Sequence, residues 1–175
     1  MAITISGSGI TSANIADGTI VNADINSSAA IDGSKLTGAG KVLQVVQGTD
    51  TTTVYNATTT YEDTGLTATI TPSSTSSKIL VITTSPSVYK SSTTASSSVS
   101  LRILRAATAI QYSALISYNN ASHQQMSAVS MSVLDSPATT SATTYKTQFA
   151  CSDTNGAHSN LQGNLATIIL MEIAG

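Results

Sequence analysis

"LATIILMEI", Leu165 to Ile173, has a large aliphatic or thioether side chain at six of its nine positions, and how it is read decides the fold. Successive side chains of a strand point to opposite faces. Leu165, Thr167, Ile169, Met171 and Ile173 then share one face and Ala166, Ile168 and Leu170 the other, and both stay apolar until Glu172. Such a strand belongs in the middle of a sheet, not at its edge. "KILVITT", Lys78 to Thr84, has the same character, while "KVLQVVQ", Lys41 to Gln47, and "GLTATIT", Gly65 to Thr71, are shorter β-branched runs. "SSTSS", Ser73 to Ser77, is the expected loop after Pro72.

Between these runs the pattern alternates. Val99, Leu101 and Ile103 form one set, Ile110, Tyr112, Ala114, Ile116 and Tyr118 a second, Val129, Met131 and Val133 a third, and Tyr145, Thr147 and Phe149 a fourth. Each set predicts a strand with one face inward. Roughly a third of the chain is Ser plus Thr, which opposes helix and suits pleated structure. The expectation from Lys41 onward is an all-β domain of eight to ten short strands in two packed antiparallel sheets, a β-sandwich of jelly-roll type. The competing immunoglobulin-like sandwich lacks its Cys-Trp-Cys core here, because the chain has no Trp.

With 175 residues, one domain and an appendage are expected. Apolar residues make up 41 % and the net charge is only -2, so a core can form and the chain should fold. The seven basic residues are scattered from Lys35 to Lys146 and give no footprint for a phosphate backbone, so no nucleic-acid partner is expected. Cys151 is the single cysteine and cannot form an intrachain disulfide. "MAITISGSGI" has no basic n-region or continuous apolar h-region, and no run approaches the roughly 18 residues of a membrane span. Synthesis in a cytoplasm, without membrane insertion, is the expectation. The sequons at Asn26, Asn56 and Asn120 follow from the abundance of Ser and Thr.

Ahead of the β region an aliphatic residue returns about every five positions, at Ile10, Ile15, Ile20, Ile25, Ile31 and Leu36. A strand would place successive members on opposite faces, and a helix would spiral them around its cylinder. Small residues at Ala13, Gly18, Ala23, Ala29 and Ser34 precede the aliphatic ones by two, a pattern similar to pentapeptide repeats. Five or six such units are little more than one turn of a square coil and cannot shield a core alone. Three copies wound about one axis would place three aliphatic side chains in each of six layers. The expected organisation is an N-terminal lead, 1–9, a trimeric repeat stalk, 10–38, a "TGAG" hinge and a β-sandwich knob, 41–175.

The repeat from Ile10 to Leu36, the join "GKVLQVVQ", the stretch "YEDTGLTATITPSSTSSKILVITT", the segment "DSPATTSATTYKTQF" and the end "IILMEI" together resemble fibre and decoration proteins of tailed bacteriophages, particularly those of aquatic hosts. The resemblance implies a trimeric stalk followed by a trimeric jelly-roll knob of the tumour-necrosis-factor type. It implies a homotrimeric structural protein at the virion surface, a head decoration or cement protein or a short fibre, with phage capsid or tail proteins as partners. The short lead would do the anchoring. The compact chain and the lack of a recognisable tail-attachment domain favour the head. The alternative is a tail-fibre receptor-binding knob that recognises a host surface glycan through "SSTTASSS" and "YNNASH" or through Tyr89, Tyr112, Tyr118 and Tyr145.

Catalysis has little to draw on. Glycoside hydrolysis needs two carboxyl groups roughly 5 to 9 Å apart. Asp17, Asp24 and Asp32 sit in the repeat as turn residues, and Glu62 and Asp63 are neighbours that a strand would direct to opposite faces. Asp135 and Asp153 are expected to shape turns. Cys151, Asp153, His158 and His123 lack any recognised metal-ligand spacing. There is no G-x-S-x-G elbow and no phosphate loop. Neither an enzyme nor a cofactor is expected.

Overall fold

The computed structural model describes residues 41–91, 93–119 and 123–175. The lead and the repeat, with the expected axial residues Ile10, Ile15, Ile20, Ile25, Ile31 and Leu36, lie outside them. The described residues form ten strands and no helix: β1 (Val42–Asp50), β2 (Tyr55–Asn56), β3 (Glu62–Ile70), β4 (Lys78–Lys90), β5 (Ser97–Arg105), β6 (Thr108–Asn119), β7 (Gln125–Asp135), β8 (Thr143–Cys151), β9 (Ala157–His158) and β10 (Ala166–Ile173). All pairings are antiparallel and build two sheets. One is ordered β3-β8-β5-β6; the other runs β1-β10-β4, continued by β9 and β2, with β7 also on β4.

The long strand β4 organises the larger sheet. β7 follows one of its edges from Ile79 to Lys90, while the opposite edge holds β10 over Lys78–Thr84 and β9 over Tyr89 and Lys90. Pro86 sits in the gap between β10 and β9, and inside the register shift between Ser85 and Val88. A residue with no N–H is tolerated there because the ladder is already interrupted. β10 lies between β1 and β4, as its two apolar faces require.

The core fills the space between the sheets. Leu66, Ile70, Ile79, Val81, Leu101, Ile103, Phe149, Ile168 and Leu170 are buried in it, each contributing on the order of 1.5–3 kcal/mol. The alternations expected for β5 and β8 hold: Val99, Leu101 and Ile103 point inward, as do Tyr145, Thr147 and Phe149. Along one edge β1 crosses close to β3. A Cβ on Gly48 would overlap the Thr67 carbonyl oxygen, so only glycine lets the sheets close there.

β6 corrects the expectation of a single inward face. Its pairing with β5 shifts three times, between Ser97 and Val99, Val99 and Leu101, and Ile103 and Leu104. Each shift places an extra residue on β6, and Leu115 and Ser117 take positive φ angles of 59° and 52° in the process. Bulges reset the phase of the alternation. Ile116 is buried and Ile110 packs against the core, but Tyr112 and Tyr118 are exposed.

Asp135 is a second correction. Opposite the buried Ile79, it faces the sandwich interior and does more than end a strand. Its carboxylate accepts hydrogen bonds from Arg105 Nη1 at 2.8 and 2.9 Å and from the Tyr145 hydroxyl at 2.7 Å. The end of β7 in one sheet is thereby tied to β5 and β8 in the other. Burial, then the Asp135 carboxylate, push the Tyr145 hydroxyl well above the usual phenol range.

Candidate assembly interface

The face of the larger sheet turned away from the core has an unusual surface. Cross-strand register puts Val45 beside Met171, Met171 beside Leu80, and Leu80 beside Leu134. Four strands, β1, β10, β4 and β7, therefore contribute one apolar side chain each to a continuous row. Val45 is 57 % and Leu134 52 % exposed at its two ends. The adjacent row is Gln47, Ile169, Ile82 and Ser132, and the one beyond it Thr49, Thr167, Thr84 and Ser130. The face thus passes from wholly apolar to wholly hydroxyl-bearing within three rows.

Farther along the same face the chemistry changes again. Tyr55, His158, Tyr89 and Met126 are cross-strand neighbours on β2, β9, β4 and β7. The His158 ring lies 4.9 Å from the Tyr55 ring and 5.7 Å from the Tyr89 ring. Burial pushes the His158 pKa down, so the imidazole stays neutral at neutral pH, and its Nδ1 has no hydrogen-bond partner among the described residues. Leu80 and Tyr89 are nine residues apart on one strand, about 30 Å at strand rise. Contiguous apolar side chains on an open sheet face are a common mark of an interaction surface.

A buried carboxylate fixes the end of the sheet that carries the apolar row. Glu172 points inward from β10, fully buried. Its Oε1 accepts from the Ser73 amide at 2.7 Å and the Ser73 hydroxyl at 2.6 Å, and its Oε2 accepts from Gln44 Nε2 at 2.6 Å. Gln44 also donates to the Thr71 carbonyl at 2.7 Å. Burial alone would raise this carboxyl, but the bonds from Ser73 and Gln44 outweigh it and bring its pKa down to about 2. β1, β10 and the β3–β4 loop are joined through one ionised group next to Met171.

The other residues singled out in the sequence are dispersed. Cys151 is in the core with Sγ 3.0 Å from Asp153 Oδ1, whereas His158 packs between two tyrosines and His123 is exposed. No three His, Cys, Asp or Glu side chains among the described residues are placed to hold a metal ion. Asp153 Oδ1 also accepts from the Asn155 amide at 3.0 Å, the turn geometry expected of it. Asp63 is exposed and bonded to Lys146 and Gln148. Of the four tyrosines considered for sugar stacking, Tyr145 is fully buried and Tyr89 belongs to the aromatic row, while Tyr112 and Tyr118 reach solvent. The apolar row itself was not evident in the sequence. Alternation places Ile169 and Met171 on one face of β10, but their neighbours depend on strand register. Among the described residues no helix is long and apolar enough to cross a membrane. No protein-family model matches the chain, and no curated protein sequence matches it either.

Proposed function

We propose that this chain is a structural protein of the virion surface of a tailed phage, a homotrimeric head decoration protein or short fibre. It attaches through its N-terminal region and projects residues 41–175 as a knob. The observation that carries the reading is the apolar row Val45, Met171, Leu80 and Leu134, whose exposure in a single chain calls for a partner. Three copies packed about an axis parallel to the strands of this face bury the row in one layer and the Tyr55, His158 and Tyr89 row in another. The five-residue aliphatic repeat calls for the same symmetry, since each layer needs three side chains to close.

A jelly-roll knob is part of the proposal. The long strands pair as β1 with β10, β3 with β8, β4 with β7 and β5 with β6, a nested series that rolls one long antiparallel ribbon into two sheets. Among the long strands the other neighbours, β10 with β4 and β8 with β5, support a double Greek key. Sedimentation of the purified chain tests the assembly: a particle of three 17.8 kDa chains is expected, and a monomer at micromolar concentration overturns it. Electron cryo-microscopy of the virion tests the location. Density on the head is expected, and density at the tail alone reassigns the protein to a fibre.

A further inference from the structure

We propose that the outward face of the β3-β8-β5-β6 sheet holds a binding site for acidic oligosaccharides, centred on Asp63, Gln148, Arg102 and Tyr112. The inference is independent of the trimer, which uses the other sheet. These four residues are successive cross-strand neighbours on β3, β8, β5 and β6, a row about 14 Å long at ordinary strand spacing.

The row is preorganised. Gln148 Nε2 donates to Asp63 Oδ1 at 2.7 Å, and Lys146 Nζ to Asp63 Oδ2 at 2.8 Å. Arg102 donates through Nε at 2.9 Å and Nη2 at 2.6 Å to the single Gln148 Oε1, and its guanidinium lies 4.0 Å from the centroid of the Tyr61 ring. Long polar side chains already held in one conformation lose little entropy when a ligand arrives. The bonds also decide what kind of ligand fits. Both Asp63 oxygens and the Gln148 carbonyl are occupied, whereas Arg102 Nη1, further protons of Lys146 and the Tyr112 hydroxyl have no acceptor among the described residues. Arg102 in the row and Lys146 beside it set two cations against the Asp63 carboxylate, while the Asp50 carboxylate lies next to Gly65 at the cavity end. The open donors cluster at Arg102 and Lys146 and favour an acceptor-rich, negatively charged ligand.

Shape points to a saccharide. Tyr112, 57 % exposed, presents a ring and a hydroxyl at one end of the row, suited to stack on the apolar face of a sugar. At the other end lies a cavity of about 160 Å³ lined by Asp63, Gly65, Leu66, Thr67, Lys146 and Thr147. It forms where β3 bulges away from β8 between Asp63 and Thr67, with Gly65 at a φ of 95°. A half-open space of this size can seat part of a sugar ring, the rest staying in solvent. Two cations are too few for a nucleic-acid backbone. A small inorganic anion would use neither the tyrosine nor the length of the row.

The test is calorimetric titration of the full chain at low ionic strength with tetragalacturonate, a carrageenan tetrasaccharide, neutral cellotetraose and inorganic sulfate. Saturable binding of at least one acidic tetrasaccharide is expected, with none of cellotetraose. Arg102→Ala, Lys146→Ala and Tyr112→Ala should each weaken it about tenfold or more. Tyr112→Ala breaks none of the row's internal bonds, so it keeps the test valid if Arg102→Ala misfolds. Three results overturn the proposal: binding of neither acidic probe, unchanged affinity in Tyr112→Ala, or sulfate bound as tightly as the tetrasaccharides. Sedimentation of the same samples reports the trimer separately, so failure of one reading leaves the other standing.

Discussion

The outward faces of the two sheets are built alike and carry opposite chemistry. Each has a row of four side chains, one per strand, in direct cross-strand register. On the larger sheet the row is Val45, Met171, Leu80 and Leu134; on the smaller it is Asp63, Gln148, Arg102 and Tyr112. In the first, Val45 and Leu134 stay exposed and Met171 and Leu80 are only half-buried within the chain, whereas the second satisfies most of its polar atoms before anything binds. A β-sandwich in which both faces were hydroxyl-rich would have no preferred side for association. In the assembly proposed above, the apolar side packs against copies of the chain and the polar side is left to solvent and ligands.

The largest test of the contrast is Leu80→Asp. In the proposed trimer a carboxylate at the centre of the apolar row meets its two counterparts, where desolvation and repulsion act together. Sedimentation should shift from trimer to monomer, while Thr144→Asp on the opposite face should leave the trimer intact. Equal masses for the two variants would remove the distinction between the faces.

Next comes the group that fixes the apolar end. Glu172→Ala removes the acceptor of one Gln44 bond and two Ser73 bonds; Gln44 keeps the Thr71 carbonyl and the exposed Ser73 can turn to water, so the cost is about 2 kcal/mol, or on the order of 4–8 °C in melting temperature. The acid limb follows from the same group. Its folded pKa, about 2, lies below the ordinary 4.5, so its stabilisation is complete above roughly pH 4.5 and is lost as pH falls from there toward 2. Glu172→Gln should flatten that limb in thermal melts taken across acid pH.

Asp135→Asn should have a smaller effect, about 1–2 kcal/mol, by weakening the bonds from Arg105 and Tyr145 that join the sheets. Chemical denaturation would measure it. The smallest effect is expected at the Lys146 and Asp63 pair, whose side chains are 30 % and 53 % exposed. Asp63→Asn should change stability by less than about 1 kcal/mol, because exposed ion pairs are screened by water and salt. A large loss there would mean that the polar row holds the fold together and does not merely decorate it.

Much of this architecture was legible in the sequence, because a strand writes its burial with period two. Tyr145, Thr147 and Phe149 face inward as their spacing predicts, and the doubly apolar run from Ala166 to Leu170 occupies the interior of its sheet. What was not legible depends on register. A one-residue slip exchanges the two faces of a strand, and the extra residues in β6 turn Tyr112 outward against its apparent pattern. Asp135 and Glu172 looked like ends of apolar runs. Their partners, Arg105, Tyr145, Gln44 and Ser73, lie far away in the chain, and no local spacing links them. The two rows are invisible for the same reason, since each takes its members from four strands.

The pairing of β1 with β10 joins residues 42–50 to residues 166–173, so the first long strand waits for the last before it gains a neighbour in its own sheet. Contacts between such distant segments form late and slowly. On the ribosome, the apolar row remains incomplete until the segment containing Met171 has left the exit tunnel, well after Val45, Leu80 and Leu134 have been made. Nascent chains on one message therefore cannot build the proposed interface before β10 is made. Self-recognition through the proposed interface is deferred until synthesis has passed β10, and until then the unpaired edges of β1 and β4 are open to wrong partners.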